Sequence, residues 1–274
     1  MEITTLVENS PGEHTALVVE HGLSFLIETE TTTLLFDTGQ SDAFLKNAQK
    51  LQKDLSKVEH VVLSHGHYDH SGGFRSFCEA PHANPFTVWT GAGFFAPKYG
   101  RYNASYQYLG NDFGPSYLAE RGIAHRTVQG VEEIAPGVWV VTDFPRIHSD
   151  EVIHPRFVLR EDGAWKSDLF TDEVLLVLET PKGLVVAVGC SHPGILNMLD
   201  TVGERFGRRL YALIGGTHLV EADKARTHHT IAAFKDRGIE VLGISHCSGA
   251  DAIAISLGQS EANFHNQTGS TLLL

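Results

Sequence analysis

The chain has 274 residues, of which 42% are hydrophobic and 20% charged, with a formal net charge of −12. That size can bury a substantial core, and the acidic balance excludes nucleic acid and anionic membranes as favoured partners, because both reward a basic face. Three cysteines (Cys78, Cys190, Cys247), no visible secretory leader and no apolar run of membrane-spanning length lead to the expectation of a reduced, cytoplasmic protein acting on a small molecule.

In chain order, "GLSFLIETETTTLLFDTGQ" (22–40) is an apolar run, a polar turn and a second apolar run, the pattern of a hairpin of buried strands. A helical stretch, "SDAFLKNAQKLQKDL", and a strand, "VEHVVLS", follow and lead directly into a histidine cluster. Residues 80–127 are dense in aromatics, Gly and Asn without a clean period, and read as an aromatic-rich insertion that packs over the sheet or covers a site. "DEVLLVLETPKGLVVAVGCSHPG" (172–194) then repeats the hairpin scheme. After it come a helix, "ILNMLDTVGERFG", and a strand, "LYALIGGTHL". A last helix (221–238), stopped by Gly238, feeds "IEVLGIS", which ends at His246. Hairpin, helix, strand and polar loop thus occur twice. The order predicts an α+β protein of two similar halves, with sheets inside and helices outside. No Ser/Pro-rich linker divides the chain, so one domain over 1–274 is expected.

The chain carries 16 histidines, and three of them fall within "LSHGHYDHSGG" (63–73). In an extended stretch, residues two apart point the same way, so His65 and His67 can grip one ion together. Asp69 and His70, one turn later, point elsewhere and can hold a second. Imidazole and carboxylate suit zinc first, with iron and manganese as alternatives. A polar loop whose histidines cap a helix is the competing interpretation, but H-x-H-x-D-H at a strand end, followed by Gly-Gly, is a far stronger signal than a lone histidine. No G-x-S-x-G elbow or phosphate loop competes for the chemistry.

"HGHYDH" resembles the signature of the metallo-β-lactamase superfamily. With "GCSHPGILNML" (189–199), "GGTHL" (215–219) and "SHCSG" (245–249), the chain is similar to its subgroup of metal-dependent hydrolases related to 7,8-dihydropterin-6-yl-methyl-4-(β-D-ribofuranosyl)aminobenzene-5′-phosphate synthase. The resemblance implies an αββα sandwich. It also implies His65 and His67 on a first metal, Asp69 and His70 on a second, and His246 as the late second-metal histidine. Where many members carry a bridging aspartate, this chain has Gly189-Cys190-Ser191-His192. His192 is the preferred replacement and Cys190 the alternative thiolate; as plain structure, His192 would cap a helix before Pro193 and Cys190 would be a small buried side chain. Without the bridging carboxylate, occupancy by a single metal stays open.

His218 is expected to face substrate, and Asp37 and Asp172 to orient metal-bound histidines. His148 lies in a region from which some members take a ligand. The implied activity is hydrolysis of a small anionic ester, phosphoester, lactone or thioester by a hydroxide shared between two divalent ions, with Asp69 accepting a proton or orienting the nucleophile. Two alternatives are a transferase joining a pterin to a ribosylated aminobenzene phosphate, and a non-hydrolytic redox site or metal sensor. Iron redox relatives carry a glutamate in place of His67, which disfavours the redox option.

Overall fold

The computed structural model describes residues 1–274, and its strands form three sheets. The first contains β1 (Glu2–Val7), β2 (Ser24–Glu28), β3 (Thr33–Phe36), β4 (His60–Val62), β5 (Thr87–Thr90), β8 (Ala124–Thr127) and β17 (Thr271–Leu273), in the order β17-β1-β2-β3-β4-β5-β8. The second contains β9 (Val131–Ala135), β10 (Val138–Val141), β13 (Leu175–Thr180), β14 (Gly183–Val188), β15 (Leu210–Gly216) and β16 (Val241–Ser245). Its order is β16-β15-β14-β13-β10-β9. A smaller sheet, β12-β11-β6-β7, joins β6 (Lys98–Tyr102) and β7 (Ser105–Tyr108) to β11 (Phe157–Glu161) and β12 (Ala164–Ser167).

The hairpin strands read as continuous apolar runs because both of their faces are covered. On β2, Phe25 and Ile27 join the central cluster between the two large sheets. Leu26, between them, joins an outer cluster with Phe44 and Ala48 of α1 (Ala43–Lys50) and with residues of α3 (Phe74–Glu79) and α4 (Pro115–Glu120). The second hairpin alternates in the same way. Leu176 and Leu178 of β13 face inward, while Leu175 and Val177 face α5 (Ile195–Phe206), α6 (Lys224–Asp236) and α7 (Ala250–Leu257). The result is an αββα sandwich with three apolar layers.

The two halves share connectivity. Antiparallel β2-β3 is followed by α1 and by β4, parallel to β3; antiparallel β13-β14 is followed by α5 and by β15, parallel to β14. In α5, Ile195, Leu196, Met198, Leu199 and Val202 are buried, the i, i+3, i+4, i+7 stripe of a core-facing helix, and Gly207 ends it in the left-handed conformation (φ 58°). Within residues 80–127 the outer parts, β5 and β8, are strands of the first sheet, and the middle supplies β6 and β7. The aromatic segment therefore both extends the main sheet and builds a second structure beside it. No helix is long and apolar enough to cross a membrane.

Candidate metal centre

β3 runs parallel to β4, and β14, β15 and β16 run parallel to one another; the loops leaving their C-terminal ends carry Asp37, the 65–70 cluster, Cys190 to His192, His218 and His246. Four of these exits need a non-glycine residue with positive φ: Asp37 (60°), Ser191 (61°), His218 (49°) and His246 (54°). Such conformations cost of order 1–3 kcal/mol each and persist where the surroundings dictate them. Strain is concentrated where the histidines converge.

His65 and His67 are buried, and His65 Nε2 lies 3.0 Å from His67 Nδ1. The His192 ring stands 4.9 Å from that of His65 and 5.1 Å from that of His67. Asp69 and His70 turn away on α2 (Tyr68–Ser71). There His70 Nε2 lies 3.2 Å from His246 Nε2, and Asp69 Oδ2 lies 3.4 Å from the same His246 atom. Asp37 holds the far side of the His70 ring, 2.6 Å from Nδ1, and also accepts from the amide and hydroxyl of Ser64. His246 is oriented from the N-terminal strand's exit: Asn9 lies 2.9 Å from its Nδ1, and Glu8 accepts from its backbone amide at 2.6 Å.

Cys190 lies between the two groups. The donor atoms of His65, Cys190 and His192 fall within 4.8 Å of one another, and so do those of His70, Cys190 and His246. One sulfur thus belongs to both trios. Gly189 makes this approach feasible, because a Cβ there would sit 2.1 Å from Ser64 Oγ.

His192 does not cap a helix. Glu151 accepts from the Leu196 and Asn197 amides at the start of α5, both at 2.8 Å, and Glu173 accepts from the amides of Ser191 and His192. Both ring nitrogens of His192 are buried without a hydrogen-bond partner. Buried polar atoms in folded proteins are almost always paired, so a pair of unpartnered nitrogens beside two other histidines fits the donor set of a cation site.

The electrostatics divide along the same line. Burial, reinforced by neighbouring cationic groups, holds His65, His67 and His192 well below the usual imidazole range, so each ring is neutral and has a free lone pair. His70 is the opposite: burial opposes its charge, but Asp37 and Asp69 raise its pKa to about 9. Burial likewise opposes ionisation of Asp69, yet His70, His21 and His246 hold it well below the usual carboxylate range. The Cys190 thiol is pushed far up by burial and by the nearby Cys247; only a cation at this spot would draw off its proton.

The two trios meet at the floor of a cavity of about 320 Å³. His67, Asp69, Cys190, His192 and His246 form its base, with Tyr68, Tyr102, Arg156 and His218 around them. Both nitrogens of His218 are unpartnered. Its ring meets that of His192 at 4.3 Å, and burial, with Arg156 next, lowers its pKa to about 3.

A model of the metallo-beta-lactamase superfamily matches residues 17–195. The chain belongs to the metallo-β-lactamase superfamily. Among superfamily relatives, it is 30% identical over 295 aligned positions, covering 96% of this chain and 93% of the other, to the 7,8-dihydropterin-6-methyl-4-(beta-D-ribofuranosyl)-aminobenzene-5'-phosphate synthase of Methanocaldococcus jannaschii. A crystal structure of Tm1679, a metal-dependent hydrolase of the beta-lactamase superfamily, superposes with a TM-score of 0.86 at 31% identity, covering 100% of this chain and 99% of the other. Zn(2+)-bound PqqB from Methylobacterium extorquens shares the fold alone, with a TM-score of 0.58 and 15% identity over the whole of both chains.

Several residues stand elsewhere than the superfamily pattern led one to expect. Asp172 touches no histidine ring; its carboxylate accepts from the Gly66 amide (2.8 Å) and from Lys98 (2.9 Å). His148 sits in a loop against α5, its Nε2 2.7 Å from Asp200 of that helix, outside the cavity. His21, which no motif marked, lies 3.2 Å from Asp69 Oδ2 and forms a third donor group with Asp69 and His246. Glu8, Asn9 and Glu173 also went unmarked, since each acts from a sequence position remote from the group it holds.

Proposed function

We propose that the chain is a metal-dependent hydrolase of a small anionic ester, phosphoester, lactone or thioester. His65, His67 and His192 would hold one divalent ion, and Asp69, His70 and His246 a second, with Cys190 between them. The observation that carries this reading is the pair of donor trios sharing one sulfur on the floor of a cavity. Two bound ions of this kind supply Lewis acidity and bring the pKa of water toward ~7. The chain's own residues do the rest. Asp69, kept ionised, can accept a proton from the attacking water at its free carboxylate oxygen. His218, neutral and unpartnered, can hydrogen-bond the substrate's polar atoms. Arg156, within the cavity wall, attracts an anionic group. Phe157, Leu109 and Tyr102 line the same cavity and would lower the amount of bulk water around the reacting atoms. Zinc is the preferred metal, since a thiolate with imidazoles suits it.

The test is metal analysis of the purified protein, followed by phosphodiester, phosphomonoester, lactone and thioester panels with His67→Ala as the control. Two equivalents of metal and a hydrolytic activity lost in the variant are expected. Bound metal with no hydrolysis anywhere on the panels would overturn the reading. The resemblance to the M. jannaschii synthase over 96% of the chain favours one second reading, transfer of a dihydropterin-methyl group to a ribosylated aminobenzene phosphate. Formation of that joined product, with hydrolysis absent, would establish it instead.

A further inference from the structure

Lys98 is 1% exposed although it is a lysine. It enters from β6 of the four-stranded sheet and ends between two carboxylates, Asp168 Oδ2 at 2.8 Å and Asp172 Oδ1 at 2.9 Å. Burial opposes its charge, but Asp172 and Asp168 keep the ammonium protonated. A cation so enclosed costs desolvation free energy, and a buried ion pair is a weak source of net stability, so its surroundings invite a functional account.

From Lys98, contacts lead to His65, His67 and His192, the histidine trio proposed for the first ion. Asp172 Oδ2 takes the amide of Gly66 at 2.8 Å, and Gly66 is the single residue between His65 and His67. The fit there is close: a Cβ on Gly66 would meet Phe94 O at 2.2 Å and Lys98 Cε at 3.1 Å. Asp168 accepts the Phe170 amide at 2.7 Å, and Phe170 is held at φ 49°, a conformation unusual for an aromatic residue. Its ring lies 4.8 Å from the Lys98 ammonium and stacks on His192 at 3.8 Å and 15°. Its edge contacts reach His65 and His67, at 6.1 and 5.3 Å. The residues proposed for the second ion have supports of their own in Asp37, Asn9 and Glu8, and they meet this chain of contacts where the His65 ring lies 4.3 Å from that of His70.

We propose that Lys98 is a positioning residue for the first metal alone: through Asp172 it fixes the backbone between His65 and His67, and through Asp168 and Phe170 it fixes the ring of His192. The four-stranded sheet and the three imidazoles are thereby joined as one rigid unit. The inference rests on the ligand reading given above and adds to it a residue that touches neither metal nor substrate.

Cobalt(II) titration of metal-free protein tests it, with the visible spectrum as the readout. His246→Ala leaves the first trio as the complete one, and His192→Ala leaves the second. Adding Lys98→Gln to the His246→Ala protein should weaken cobalt binding by about 10-fold or more, the range found when a group behind a ligand is lost, and should shift the visible bands. Adding it to the His192→Ala protein should change affinity less than about 2-fold, as for uncoupled sites. Equal losses in both backgrounds, or none in either, would overturn the proposal. Should Lys98→Gln fail to fold, Asp172→Asn is read by the same criterion. Absence of cobalt binding before any change at Lys98 would overturn the ligand reading itself, whereas two bound cobalt ions indifferent to Lys98 would overturn only the positioning role.

Discussion

His65, His67 and His192 present their nitrogens with no carboxylate among them, whereas Asp69 stands between His70, His246 and His21. The first trio is neutral, enclosed by Phe157 and Phe170, and held by backbone contacts to Glu173 and Asp172. The second is held by ionised partners, and it opens toward solvent at His21, whose side chain is 55% exposed. One fold thus builds two donor groups by different means, packing in one and charge in the other. Geometry should govern the first and proton concentration the second. Cys190 is the point where the two designs meet.

Cys190→Ala attacks both groups together and should have the largest effect. Metal content should drop below two equivalents and activity should fall at least about 100-fold, beyond the usual loss for a residue behind a ligand; retention of two ions would show that each trio is complete without the sulfur. Asp37→Asn should weaken the second ion by about 10- to 100-fold and the first by less in isothermal titration, because Asp37 reaches His65 only through the Ser64 hydroxyl. A pH series sharpens the contrast. The His70 pKa is raised from 6.5 to about 9 in the folded metal-free protein, so the folded state binds the extra proton between those values. The stability it contributes is full below pH 6.5 and is lost as pH rises through about 9. Thermal melts with a chelator should therefore show Tm falling over that window, less steeply in Asp37→Asn. Glu173, pushed up to about 8 by burial, adds a slope of the same sign beginning at lower pH, so the difference between the two proteins isolates His70. His21→Ala should have the smallest effect, a reduction of a few-fold in second-ion affinity, because its exposed ring makes the weakest of these attachments. A loss as large as that of Asp37→Asn would make His21 a full ligand.

The sequence made the contiguous part of the centre legible. His65, His67, Asp69 and His70 lie within six positions, and the strand–loop period dictates which of them diverge. The repeated hairpin–helix–strand order was equally readable, since Leu, Val and Ile on both faces of a strand imply cover on both sides. The supporting residues were not readable. Lys98 meets Asp172 across 74 positions and Glu8 meets His246 across 238, and no local pattern encodes such pairs. The strands within the middle of the aromatic segment were not readable for a related reason. Strand β6 pairs with β7 on one side and, on the other, with β11, some sixty residues away in sequence, and neither strand carries an apolar alternation of its own. Asp172 is expected to orient a histidine because carboxylates commonly do so in metal centres; it accepts from the Gly66 amide instead.

The docking of His246 against Glu8 and Asn9 also sets an order of assembly. His70 and His246 are separated by 176 positions, and the loop that orients His246 follows β1, which itself pairs with β17 at the other end of the chain. Such distant pairings close late when a chain folds, since loop entropy is lost before the contact can compensate. During synthesis the cluster at 65–70 leaves the ribosome long before its partners, and the second trio stays incomplete until β16 is in place. On the proposed ligand reading, metal capture at that position would mark the finished fold. Refolding in the presence of cobalt should show native far-UV signal before the second ion's absorbance develops.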